Sequence, residues 1–384
     1  MKASARNKID KNSLMNIITV FVFFVIICLP VSLKVFVSKK VESKNEKRML
    51  QTMPAFSFHN DSWKQFPSRY EKYFNDNFGL RNTLIFVNNF FKYGLFSISP
   101  VPRVLAGKNG WLFYADKDDG DPVACYRGTN LFSDTELYII KKNIEGHRDF
   151  YKKFGIPLII LIVPNKHSIY PEYLPDNLKR VSKETRTDQF IKYLSISSDM
   201  MVLDLRKTLI EKKGRELLYQ KTGTHWNSLG AFWGYKDLIT AIGRFFPEIN
   251  NKRLTDYNIE HEMVEGHDLA NMLALKDLLK ENEIIMSPKF KISARTSKRD
   301  LIINGKKVHL TISGTDDPGL PSAMMVHDSF GGGLQPYLSE HFSRIAYVPI
   351  LDLNSEIIKK EKKPDIVIYE VAERYLYFFL PVQR

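Results

Sequence analysis

The chain has 384 residues, room for one large α/β domain or two smaller ones plus an anchor, and its 56 Lys and Arg against 43 Asp and Glu give a formal charge of +13. The excess is spread along the chain rather than gathered into one tract, which argues against a nucleic-acid groove and for a surface that works near anionic lipid or polymer. Its two cysteines, Cys28 and Cys125, lie far apart and support no disulfide framework.

From Leu14 to Leu33 the chain runs LMNIITVFVFFVIICLPVSL without a charge, long enough at ~1.5 Å per residue to cross a ~30 Å hydrocarbon core. The run is too long for a signal-peptide core, so a retained transmembrane anchor over 14–33 is expected, behind a cytoplasmic tail of residues 1–13. Lys2, Arg6, Lys8 and Lys11 are outnumbered by the basic residues from Lys34 to Arg48, so flanking charge does not set the orientation. Residues 34–100 read as a charged stalk followed by an amphipathic helical region. There Phe66, Tyr70, Tyr73, Phe74 and Phe78 recur at helical spacing, which predicts two helices joined around Gly79 that pack on the main domain or face a membrane.

The main domain is expected over 101–384, entered through the Asn109-Gly110 turn of GKNGWLFY. Ser133 and Glu136 stand at capping-box spacing, predicting a helix that ends near Gly155. PLIILIVP at 157–164 predicts a strand buried on both faces. A helix near 183–194, a strand at 201–205 and a helix from Ser228 continue the alternation. They are followed by a β pair, KFKISAR and KKVHLTIS, around an Asn-Gly turn at 304–305. SAMMVHDSF at 322–330 predicts another strand, its Gly-rich turn opening a helix toward Phe342, and RIAYVPI and DIVIYE predict the closing strands. This alternation predicts an α/β fold with a mainly parallel sheet and helices on both faces.

In such sheets functional groups gather at the carboxyl ends of strands, where VPNKHSIY, KTGTHWN and VHDSFGGG carry polar clusters. Ser329 falls at a strand-to-helix turn, a place that exposes a nucleophile beside backbone N–H groups able to hold an oxyanion; it equally suits a helix cap. A serine needs a base, and His225 is the candidate, although spacing alone cannot pair the two. The histidines show no close ligand pair, and Gly331–Gly333 lack the Lys-Ser/Thr of a phosphate loop, so neither metal nor cofactor is expected.

GKNGWLFY, PNKHSIYPEYLP, THWN followed by Gly230, GHDLANML, HDSFGGGLQPYLSEHFSR and PDIVIYEVAERYL together resemble the alginate O-acetyltransferase family, SGNH-hydrolase-like proteins whose histidine precedes the serine. The resemblance covers nearly the whole chain beyond the apolar segment. It implies an SGNH-hydrolase-like three-layer sandwich, with Ser329 as nucleophile and His225 as base of O-acetyl transfer to an exopolysaccharide or other envelope glycan. It further implies a polytopic membrane acyltransferase partner that delivers acetyl, and a catalytic domain in the periplasm or extracytoplasmic space. An acetyl esterase of the same fold and a non-catalytic glycan-binding subunit remain alternatives. The family carries an Asp two residues before the histidine, where this chain has Gly223. Glu373 is the foremost substitute carboxylate, ahead of Asp328, Asp268 and Glu370. Asn165, Lys166, Trp226, Asn227 and Asp328 are candidates for substrate binding or oxyanion stabilisation.

Overall fold

The computed structural model describes residues 11–33, 42–43, 48–57, 62–214, 216–303, 305–350 and 361–381. Residues 1–10, most of the expected stalk and Asn304 of the expected Asn-Gly turn lie outside them. Two units are present, Met1–Ser97 with Met272–Ala274, and Ile98–Asn271 with Leu275–Arg384.

The first unit holds the helices α1 (Lys11–Leu33), α2 (Ser62–Asp76) and α3 (Arg81–Phe96). The aromatic periodicity does form α2: Phe66, Tyr70 and Phe74 stack in sequence, with ring centroids 5.9 and 6.4 Å apart, and Phe78, just beyond the helix, meets Phe74 edge to face at 5.5 Å. The anchor expected over 14–33 is overturned, because among the described residues no helix is long and apolar enough to cross a membrane. With the anchor fall the expected single-pass membrane topology and the localisation at a membrane, and among the described residues no spanning helix supports the polytopic membrane partner that the resemblance implied.

The second unit is built on a seven-stranded sheet. Its strands are β1 (Leu158–Val163), β2 (Met201–Asp204), β3 (Arg295–Ile303), β4 (Lys306–Gly314), β5 (Ser322–His327), β6 (Arg344–Pro349) and β7 (Ile366–Ala372), in the order β2-β1-β7-β5-β6-β4-β3. All six residues of β1 are buried because both faces of the sheet are covered. Alternate side chains divide between two cores. Ile159, Leu161, Met325 and Ile368 join Phe232, Tyr235 and Leu238 of the helix α6 (Ser228–Ile242), whereas Ile160, Ile162, Val326 and Val367 join Ile140 and Ile144 of α4 (Asp134–Lys152) and Phe190 of α5 (Arg186–Ser197). Each such side chain contributes about 1.5–3 kcal/mol of burial, and the two-sided pattern fixes a three-layer arrangement.

The expectation of a mainly parallel sheet is corrected: the sheet is mixed. Strands β2, β1, β7, β5 and β6 pair in parallel, but β4 runs antiparallel to β6 and β3 antiparallel to β4. Gly305, at φ +77°, closes the β3–β4 hairpin, which attaches to the sheet edge without a crossover helix. The first strand of this hairpin begins at Arg295, later than the expected KFKISAR segment, and its exposed Lys298, Arg299 and Asp300 protect the edge. A second hairpin, Tyr257–Val264 with Glu281–Pro288, was not anticipated. Its exposed polar residues lack a clear apolar alternation.

α6 seats tightly. A Cβ at Gly230 would lie 2.1 Å from the Leu218 carbonyl oxygen and 3.0 Å from Trp226 Cβ, whereas one at Gly146 of α4 would meet nothing within 4 Å. Gly230→Ala should therefore lower stability by about 1–3 kcal/mol, and Gly146→Ala should raise it by about 0.5–1 kcal/mol, in urea denaturation of the two variants.

Candidate active site

The site lies at the carboxyl ends of β5, β7 and β1. The chain leaves β5 at His327 and turns through Asp328, Ser329 and Phe330. Asp328 is buried, and its carboxylate accepts the Phe330 N–H at 2.8 Å and the Ala372 N–H at 2.7 Å, tying this turn to the end of β7. Phe330 is buried in the core beneath, so the turn presents Ser329 outward as its exposed residue. The helix expected toward Phe342 is instead a succession of short turns, Gly331–Gly333, Gln335–Leu338 and Ser339–His341.

His225 arrives from the other side of the sheet edge, on the loop that precedes α6. Its Nε2 lies 2.8 Å from Ser329 Oγ, and its ring leans on Phe330 with centroids 4.9 Å apart. The loop doubles back on itself, with Gln220 N–H donating to the His225 carbonyl at 3.0 Å and Asn227 N–H to that of Leu218 at 3.0 Å. Asn227 caps α6 by accepting from the Gly230 N–H, and Trp226 Nε1 donates to the Phe330 carbonyl at 3.2 Å. Burial, with Arg374 and Lys166 nearby, pushes the His225 imidazole below its usual range, against the pull of Asp268 and Asp328. The ring is therefore neutral near pH 7, the state in which it can accept a proton.

Two buried groups hold the loop from below. Lys166 Nζ donates to the carbonyls of Gln220, Lys221 and Gly223 at 2.9, 3.2 and 2.5 Å, and burial lowers its pKa to about 7. Glu281 accepts the N–H groups of Lys221 and Thr222 together with the Thr222 hydroxyl. Asp268 grips the residue beside His225, accepting Thr224 N–H at 2.8 Å and Thr224 Oγ1 at 2.7 Å. Gly223 leaves no room for the carboxylate the motif led one to expect there. A Cβ at that position would lie 2.2 Å from Gln220 Oε1 and 2.9 Å from His267 Cβ.

The remaining candidates have other partners. Glu373 is buried, and its Oε2 accepts Asn165 N–H and Ser168 Oγ, each at 2.7 Å, while Oε1 lies 3.9 Å from Arg206; the structure does not bring it to His225. Glu370 is fully buried, its carboxyl pushed well above the usual range by burial and by Asp328 beside it, and it accepts the Asp328 N–H at 3.0 Å. Asn165 Oδ1 accepts from Arg374 Nη1 at 3.0 Å, and its Nδ2 is buried without a partner. Asp268 carried only a weak signal in the sequence, since its place beside His225 depends on a turn more than forty residues later in the chain. Among the described residues no group of three His, Cys, Asp or Glu side chains could hold a metal ion.

Comparison with known proteins bears on this geometry. Residues 104–343, more than half the chain, match the family model described as "SGNH hydrolase-like domain, acetyltransferase AlgX". A Pseudomonas fluorescens protein named "Probable alginate O-acetylase AlgJ" is 28% identical over 290 residues, covering 72% of this chain and 68% of that protein. One of the same name from Pseudomonas syringae pv. tomato is 27% identical over 287 residues, covering 72% and 69%. Among solved structures, Bacillus cereus PatB1 with a sulfonyl adduct shares the fold at a TM-score of 0.54 and 16% identity, covering 72% of this chain and 100% of that one.

Removing Lys166 tests how the loop is held. Lys166→Met strands three carbonyls and should lower stability by roughly 3 kcal/mol. Because the folded pKa, about 7, lies below the ordinary 10.5, the unfolded wild type binds more protons between those values. Its stability should therefore rise from pH 7 toward 10.5, and that rise should be missing in Lys166→Met when urea midpoints are compared across the window.

Proposed function

This chain belongs to the family of SGNH hydrolase-like domains of the acetyltransferase AlgX type, and on that premise we propose that it transfers an acetyl group to a glycan hydroxyl through an acetyl-enzyme on Ser329. The observation that carries the reading is the 2.8 Å separation of His225 Nε2 from Ser329 Oγ at the open edge of the sheet. The named alginate O-acetylases among its relatives support a glycan as acceptor.

In the first half-reaction the Ser329 hydroxyl donates its proton to His225 Nε2 as Oγ attacks the acetyl carbonyl of a donor ester. The tetrahedral oxyanion collapses, the donor C–O bond breaks, and the departing alkoxide takes the proton from the imidazolium. In the second, a sugar hydroxyl gives its proton to the neutral imidazole, attacks the acetyl carbon and releases Ser329, which recovers the proton. Asn165, just past the carboxyl end of β1, keeps Nδ2 buried without a protein partner and is proposed as a donor to that oxyanion once its covering neighbours move aside. Arg374 fixes the amide by its bond to Oδ1.

Asp268 stands in for the carboxylate absent at Gly223. It fixes the backbone next to His225 through Thr224 and favours the imidazolium by its charge, without bonding to the ring as a triad Asp does. Glu373 and Asp328 act as positioning residues, the former on the Asn165 backbone and the latter on the Ser329 turn.

Turnover of a chromogenic acetyl ester by the full chain tests the reading. Ser329→Ala should abolish it to within about 10³–10⁴-fold of the uncatalysed rate, the remainder that binding and oxyanion donors sustain. Turnover unaffected by this change would refute the nucleophile. The pH profile adds a second check. A base whose pKa is lowered loses activity only as pH falls below the ordinary imidazole value of 6.5, so kcat/KM should be flat above it. Asp268→Asn removes a group that favours the charged ring. It should move the acid limb to still lower pH and reduce kcat, by less than the ~10⁴-fold seen when a directly bonded triad Asp is lost.

A further inference from the structure

The loop that carries His225 is a tight reversal. Tyr219 and Trp226 pair antiparallel, and Gln220 stands opposite His225 across the mouth of the tip formed by residues 221–224. Gln220 is engaged through backbone and side chain alike. Its N–H donates to the His225 carbonyl at 3.0 Å, and its own carbonyl accepts from Lys166 Nζ at 2.9 Å. Its side-chain Nε2 donates to Glu283 Oε1 at 3.0 Å, while its Oε1 fills the space over Gly223 into which a Cβ would project.

Glu283 is itself anchored. His267 Nε2 lies 3.1 Å from Glu283 Oε2 and 3.5 Å from Oε1 of Glu281, the carboxylate that receives the N–H groups of Lys221 and Thr222. Burial opposes a charge on the His267 ring, but Glu283, Glu281 and Asp268 together raise its pKa above the ordinary 6.5. Despite its own burial Glu283 is held below the usual carboxylate range by the bonds from His267 and Gln220, and so it meets Gln220 Nε2 as an anion.

A carboxylate bonded to an imidazole base does two things: it fixes the ring and it favours the imidazolium. The uncharged Gln220 amide can do only the first. It does so through the backbone, by holding the His225 carbonyl and by filling the space over Gly223 into which the tip would otherwise fold.

We propose that Gln220 is the positioning residue for His225 that replaces the carboxylate missing at Gly223. The inference rests on the acetyl-transfer reading. It makes the two arrangements exclusive, since a side chain at residue 223 and the Gln220 amide require the same space. Gln220 then fixes one side of the tip and Asp268 the other through Thr224, around an imidazole whose pKa stays below its usual range.

Turnover of a chromogenic acetyl ester by full-chain variants tests this assignment. Gln220→Ala should lower kcat about tenfold with KM nearly unchanged. Glu283→Ala should lose most of the same factor, whereas Glu283→Gln, which keeps an acceptor for Gln220 Nε2, should retain it. Gly223→Asp alone should also be impaired, because Gln220 occupies its space. Combined with Gln220→Ala, the same Asp should raise kcat about fivefold over Gln220→Ala and move the acid limb of kcat/KM to higher pH, as a carboxylate at the ring favours the imidazolium. A double variant no faster than Gln220→Ala, or a Gln220→Ala protein within about twofold of wild type, overturns the assignment. Hydrogen exchange in Ser329→Ala protein separates this claim from the chemistry. There Gln220→Ala should speed exchange across residues 217–227 about tenfold, and unchanged exchange overturns the positioning role whatever the turnover. Faster exchange, alongside a wild type without Ser329-dependent turnover, would sink the acetyl-transfer reading and leave Gln220 standing as the brace of this loop.

Discussion

The candidate site depends on one buried carboxylate. Asp328 joins the turn beyond β5 to the last residue of β7 through two backbone N–H groups, and both strands are buried on both faces. The turn therefore inherits the rigidity of the sheet centre. Phe330, packed beneath it, keeps the backbone from sinking or rising, and the exposed hydroxyl of Ser329 is held where a neighbouring loop can reach it. Burial of Asp328 is tolerable because both oxygens accept backbone donors, while burial and Asp328 push the neighbouring Glu370 carboxyl well above its usual range.

The His225 loop solves the complementary problem, since it is not part of the sheet. Lys166 supplies donors for its carbonyls, Glu281 acceptors for its N–H groups, and Asp268 a clamp on Thr224. A loop satisfied in this way has little freedom to move the imidazole, and that reduces its need for a carboxylate bonded to the ring. Gly223 belongs to the same design: Gln220 and His267 occupy the space that a side chain at that position would take.

Much of this architecture was legible in the sequence because it is local. The unbroken aliphatic run of β1 and the capping box of α4 each declare their structure within a few residues, whereas Asn227, expected at the substrate, caps α6. Ser329 and His225 were singled out because strand-end polar clusters and several ordered motifs point the same way, and the fold sets the two side chains 2.8 Å apart. The mixed sheet was harder, since a hairpin signal does not say whether its strands join a parallel sheet edge, and the Tyr257–Val264 hairpin was hidden by polar exposure. Partners at long sequence separation escaped altogether. Glu373 stood at the right strand end yet serves Asn165 and Ser168, and the residues converging on Thr224, Trp226 and Gly333 come together only through packing.

The account turns on a covalent acetyl group at Ser329. Intact-mass analysis of the full chain, quenched in acid within milliseconds of mixing with an activated acetyl ester and followed by peptide mapping, tests it directly. The account predicts a mass increase of one acetyl group, mapped to Ser329 and discharged when acceptor is added. An acetyl group found elsewhere, or ester turnover that proceeds without any covalent intermediate even when deacetylation is slowed at low pH, would contradict it.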